Sequence, residues 1–99
     1  MGRDEIIAVI YEAIRRANEL RAPGEHLECA EGTTLFGPGA LDSLGLVSLI
    51  LDVEQGIAEH QGLRLVLADE HALSRRRSPF RDVATLADYV VTRLDGARP

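Results

Sequence analysis

Gly39-Ala40-Leu41-Asp42-Ser43-Leu44-Gly45-Leu46-Val47-Ser48-Leu49 is the stretch on which the reading of this chain turns, because a loop rich in Gly and Pro runs there into a serine at a helix start. Asp42 and Ser43 are both residue types that favour the first position of a helix, where a side-chain oxygen can accept from an otherwise unpaired backbone N–H. The helix they open is expected to run to about His60, with Gln61-Gly62 as its C-terminal stop. Two apolar strips lie along it. Leu46, Leu49, Ile50, Val53 and Ile57 follow one helical face, and Leu44, Val47 and Leu51 form a neighbouring strip that begins beside Ser43. One strip can face a core while the other meets a partner, although periodicity alone also allows both to be ordinary core.

On the N-terminal side, Ile6, Ile10, Ala13, Ile14, Ala17 and Leu20 trace one stripe of an amphipathic first helix from Asp4 to about Leu20. Asp4 is read as its N-cap, Glu5 as the first-turn anion, and Ala22-Pro23-Gly24 as its stop. Residues 22–42 carry no sustained period and read as a long ordered loop, anchored by Leu27, Leu35, Phe36 and Leu41, or else as hiding a short helical turn. On the C-terminal side Leu63, Leu65 and Leu67 alternate as a short extended segment would, before a brief helix around Ala68 to Leu73. Ser74 to Pro79 breaks the pattern, with Phe80 pinning that loop. A last helix follows from Asp82 to Leu94, on Val83, Leu86, Tyr89 or Val90, and Leu94, leaving Gly-Ala-Arg-Pro as a frayed tail. Residues 1–99 are thus expected to form one all-α domain with its core at about 4–94.

Composition narrows the function classes. The chain is 45% hydrophobic and 27% charged, with nine Gly and four Pro, as in a folded globular domain. A core of this size does not sustain a large internal substrate cavity, which disfavours an autonomous enzyme. Sixteen acidic against eleven basic residues give a net charge of −5, which repels nucleic acid and anionic lipid and favours basic protein surfaces. All the basic residues are Arg, a bias without a physical account. The single Cys29 has no internal disulfide partner, no charged-then-apolar leader begins the chain, and no apolar run reaches the ~20 residues of a membrane span. Ile6 stands where a myristoylation signal wants Ser or Thr. A cytoplasmic, monomeric protein is the expectation.

Asp-Ser-Leu at the mouth of an amphipathic helix, after one helix and a long loop and before a short and a final helix, resembles the acyl carrier protein family, over nearly the whole chain. Leu41-Asp42-Ser43-Leu44-Gly45-Leu46-Val47 also resembles D-alanyl carrier proteins and related stand-alone carriers, and the Gly-Gly that often precedes the serine of peptidyl carriers is missing. The resemblance implies a four-helix bundle with a long loop between the first two helices and a short third helix. It implies that Ser43 receives a 4′-phosphopantetheine arm from coenzyme A through a separate phosphopantetheinyl transferase, which would supply base and Mg²⁺. The arm would then carry an acyl or aminoacyl thioester. Asp42 is read as an N-cap, as a recognition contact for the transferase, or as both. Leu44, Val47 and Leu51 would form the patch that partners grip, with Asp52 and Glu54 as anionic contacts at its edge. Gly45 and Ser48 stand where fatty-acid-type carriers commonly have acidic residues. That departure implies a dedicated set of partners, such as one activating ligase and one acyltransferase-type enzyme.

Other readings are weaker. Ser43 lacks the Gly-x-Ser-x-Gly elbow of serine hydrolases. Arg75-Arg76-Arg77 could meet coenzyme A phosphates, an acidic partner or nucleic acid, but such runs are usually solvated loops and the net charge opposes the last. His26, His60, His71 and Cys29 show no metal-ligand spacing and read as surface residues, with Cys29 inert. An unmodified helical adaptor acting through Leu44, Val47 and Leu51 is the alternative to the carrier.

Overall fold

A computed structural model describes residues 2–62, 64–67 and 79–97. Three α-helices occupy the described residues: α1 (Arg3–Asn18), α2 (Ser43–Gln61) and α3 (Val83–Ala97), with a 3₁₀ turn at Pro23–Glu25 in the loop between α1 and α2. Among the described residues there is no strand, only two isolated bridges, so the described fold is all-α. The brief helix expected around Ala68 to Leu73 lies outside the described residues, as do Leu63, His71 and Arg75 to Arg77.

The first helix begins earlier than its Asp4 cap would have it. Gly2 holds the N-cap position, and the carboxylate of Glu5 reaches back to accept from the Gly2 N–H at 3.3 Å, which leaves Asp4 inside the first turn. Its end is also earlier. Asn18 clasps the loop, its Oδ1 accepting from the Leu27 N–H at 2.8 Å and its Nδ2 donating to the Leu27 carbonyl at 3.0 Å. That clasp draws Leu27 into the core and ends α1 before Leu20, which is 92% exposed where the apolar stripe had placed it inside.

The second helix has the expected bounds. Asp42 caps its start, and Gly62 ends it with φ +63°, a left-handed conformation that a residue with a Cβ adopts only with strain. Its buried residues are Leu46, Leu49, Ile50, Val53 and Ile57, one strip and not the other. α1 is the central helix and packs against both α2 and α3, so that its Ile6, Ile10, Ala13 and Ile14 join the α2 strip and Leu86, Val90 and Leu94 of α3 in a single apolar cluster from Ile6 to Leu94. At Gly56 the two helices come so close that a Cβ would sit 2.6 Å from Val9 Cγ1. The last helix starts where Asp82 accepts from the Thr85 N–H at 2.8 Å and continues through Gly96 and Ala97, residues expected to fray.

The loop of residues 22–42 is fastened at its far end to the entry of α3. Leu35 N–H donates to the Arg81 carbonyl at 2.9 Å, Val83 N–H to Thr33 at 3.1 Å and Ala84 N–H to Glu31 at 2.9 Å. Leu27, Leu35 and Leu41 are buried as expected, but Phe36 is 44% exposed. Successive residues of an extended backbone point to opposite sides, so burying Leu35 turns Phe36 outward. The large aromatic in the core is instead Phe80, fully buried and edge-on to Tyr89 with ring centroids 5.7 Å apart. Leu65 and Leu67 are buried while Arg64 and Val66 are exposed, the alternation of an extended passage.

Candidate functional site

Loop and helix meet at Asp42. The loop is drawn inward at Leu41, which is buried, and Leu41 N–H donates to the Leu35 carbonyl at 3.0 Å. One residue on, Asp42 Oδ1 accepts from the Gly45 N–H at 2.7 Å, and the Asp42 carbonyl accepts from the Leu46 N–H at 2.9 Å. With the Gly45 N–H taken by the cap, the N–H groups of Ser43 and Leu44 are left in the first turn, where a helix offers no acceptor of its own. Ser43 is exposed at that turn, and so is Asp42. A serine hydroxyl thus stands in solvent beside two unpaired donors and the positive end of a 19-residue helix.

The neighbouring strip is only partly buried. Leu44 is 77% exposed and Leu51 53%, while Val47 between them is half-buried. Asp52 is half-buried on the side of α2 that faces α1. Glu54 is engaged by the chain itself, its Oε1 accepting from the Leu67 N–H at 2.5 Å, so it holds the 64–67 segment against α2. The carboxylate expected at the edge of the strip therefore has a structural duty.

Compared with known protein families, with curated proteins and with solved structures, the chain matches none. Its geometry has to speak for it. No helix among the described residues is long and apolar enough to cross a membrane, and no three His, Cys, Asp or Glu side chains among them gather as a metal site. Cys29 is exposed, with its thiol 3.9 Å from the Tyr11 carbonyl, and His26 and His60 are exposed.

One feature beside Ser43 was not legible in the sequence. Between the end of α1 and the start of α2 lies an open groove of about 480 Å³, lined by the small residues Ala17, Ala40, Gly45 and Ser48 and by the charged Arg21 and Asp52, with Leu20 and Leu44 exposed at it. Its small lining residues come from three separate segments, and small residues carry no hydrophobic period. The hint available was Leu20, the last member of the α1 stripe, only two residues before Ala22-Pro23-Gly24.

Proposed function

We propose that this chain is an acyl or aminoacyl carrier protein: a four-helix bundle of carrier type in which Ser43 bears a 4′-phosphopantetheine arm. The observation that carries the reading is the exposed Ser43 at the first turn of α2, directly after an aspartate that caps the helix. The residues present suit the group. A phosphodiester on Ser43 Oγ would lie against the Ser43 and Leu44 N–H groups and the helix dipole, the arrangement by which helix starts hold phosphates. When bound, the arm would supply a terminal thiol for a thioester. What the chain's own residues do is simpler: Asp42 fixes the first turn, the turn exposes the hydroxyl, and the Leu44, Val47 and Leu51 strip gives an enzyme something apolar to hold.

That no His lies near Ser43 in sequence, and that the neighbouring Asp42 carboxylate is engaged as the helix cap, fits a hydroxyl that another enzyme activates. The carrier then raises the effective concentration of its cargo at each docked active site and performs no chemistry itself. Partners would be a phosphopantetheinyl transferase, an activating ligase and an acyltransferase-type enzyme.

Incubation with coenzyme A, Mg²⁺ and a broad-specificity phosphopantetheinyl transferase, followed by intact mass and peptide mapping, tests this. The expected result is one arm, on Ser43, and none on Ser43→Ala. Failure to load under conditions that load a control carrier, or loading that persists in Ser43→Ala, overturns it. A second reading, an unmodified adaptor, rests on the exposed Leu44 and Leu51 and would be left standing by that failure.

A further inference from the structure

The geometry points to a docking site for the enzyme that loads Ser43: the groove between the end of α1 and the start of α2 receives an apolar side chain of that enzyme, flanked by basic residues. This deepens the carrier reading and rests on it. The groove begins at the modification site, since Asp42 and Leu44, the two neighbours of Ser43, both line it. It is a built concavity. Ala17, Ala40, Gly45 and Ser48 withhold side-chain bulk, while Leu20 and Leu44, the two most exposed large apolar residues among those described, stand beside the space they leave. A leucine held 92% exposed has no role in the core it left behind, and its area is available to a partner.

Charge argues for the rest of the occupant. Asp42 and Asp52 line this groove against the single Arg21, and Asp52 also lines a second one, of about 320 Å³, between α1 and α2. There it is joined by Glu5, Glu12 and Glu59, against Arg16 and His60. An apolar socket beside Ser43 thus runs into an acidic cleft. The complement is an enzyme surface with a projecting large apolar side chain, as at the centres of protein interfaces, and Arg or Lys residues placed to meet Asp52 and Glu59. Gly45 and Ser48 take on a meaning here. They add no carboxylate to that of Asp42 and give the groove room, so an apolar side chain can enter beside Ser43 while most of the acidity is met farther along.

The test titrates ¹⁵N-labelled protein with a broad-specificity phosphopantetheinyl transferase without coenzyme A, and reads both the perturbed amides and Kd. Perturbation is expected at Ala17, Leu20, Gly45, Ser48 and Asp52. Leu20→Ser, at a site too exposed to affect folding, is expected to weaken binding about tenfold with an unchanged thermal melt. Ser48→Glu, which puts a carboxylate into the socket, is expected to weaken it similarly. Asp95→Asn on α3 is expected to stay within twofold. If the wild type loads on Ser43 while Leu20→Ser binds unchanged, or Ser48→Glu binds more tightly, the groove is not the docking site and the carrier reading survives. If the wild type does not load at all, both fall.

Discussion

Two aspartates, Asp42 and Asp82, open α2 and α3, and substitution separates their duties. Asp42 accepts from the Gly45 N–H, and loss of such a cap in Asp42→Ala is expected to cost about 1 kcal/mol, visible as a lower Tm. Asn caps a helix as well as Asp does, so Asp42→Asn should keep the stability. If Asp42 also serves the transferase, Asp42→Asn will load more slowly than wild type while melting at the same temperature. Equal loading rates would reduce Asp42 to its cap. Asp82 answers to pH. Partial burial pushes its carboxyl up, but hydrogen bonds from the Thr85 hydroxyl and N–H, with Arg81 alongside, outweigh burial and hold it below its ordinary value of 3.8. A carboxyl lowered in the folded state favours folding above that ordinary value, and the benefit is lost as pH falls through the lower folded value. Urea midpoints of wild type and Asp82→Asn should therefore differ by a constant amount from neutrality to about pH 5 and converge below pH 3.8.

Helix contacts set which parts of this fold could be read in advance. The five residues that α2 buries, Leu46, Leu49, Ile50, Val53 and Ile57, stand out from spacing because a long helix buried along one face obeys its own period. Leu20 and Phe36 misled for a related reason. Their fate was decided by Asn18 clasping Leu27 and by Leu35 bonding Arg81, tertiary choices that no window of local sequence contains. Ser43 and Asp42 were legible because a cap and a helix start are local chemistry, whereas the groove beside them needed Ala17, Ala40 and Gly45 brought together from three segments. Gly56 shows the same limit. In sequence it is a weak spot in a helix, yet a Cβ there would sit 2.6 Å from Val9 Cγ1, so its absence sets the distance between α1 and α2. Gly56→Ala gains up to about 1 kcal/mol of helix propensity but meets an overpacking cost of about 1–3 kcal/mol, and a net loss of stability is expected. Adding Val9→Ala removes the colliding γ-carbon, so the double variant should lose less than the sum of the two single losses in a thermodynamic cycle.

At the scale of the whole chain, the loop that leads to Ser43 is tied to the entry of α3 beside the buried Phe80. Surface pairs such as Arg3 with Glu31 and Asp88 link α1, the loop and α3, but they are solvated and contribute little on their own. Phe80 is different. It is fully buried next to Arg81, whose carbonyl holds Leu35, and it faces Tyr89 of α3 edge-on. Removing a core phenylalanine costs about 3–5 kcal/mol against a total of about 5–15 kcal/mol for a domain of this kind. Phe80→Ala should consequently lower Tm on the order of 10 °C or more. Phe36→Ala, at a half-open position of the same loop system, should change it by far less. The consequence for function is a temperature dependence. If Ser43 is the site of the proposed arm, Phe80→Ala should accept it while folded and lose that capacity through its own lowered transition, because the helix start that presents the hydroxyl melts with the core. Ser43→Ala should melt with the wild type and accept no arm at any temperature. Loading rates measured alongside circular dichroism melts distinguish the two. If Phe80→Ala loaded equally well above its transition, the serine would be recognised as a short linear motif, and the folded first turn of α2 would be irrelevant to its modification.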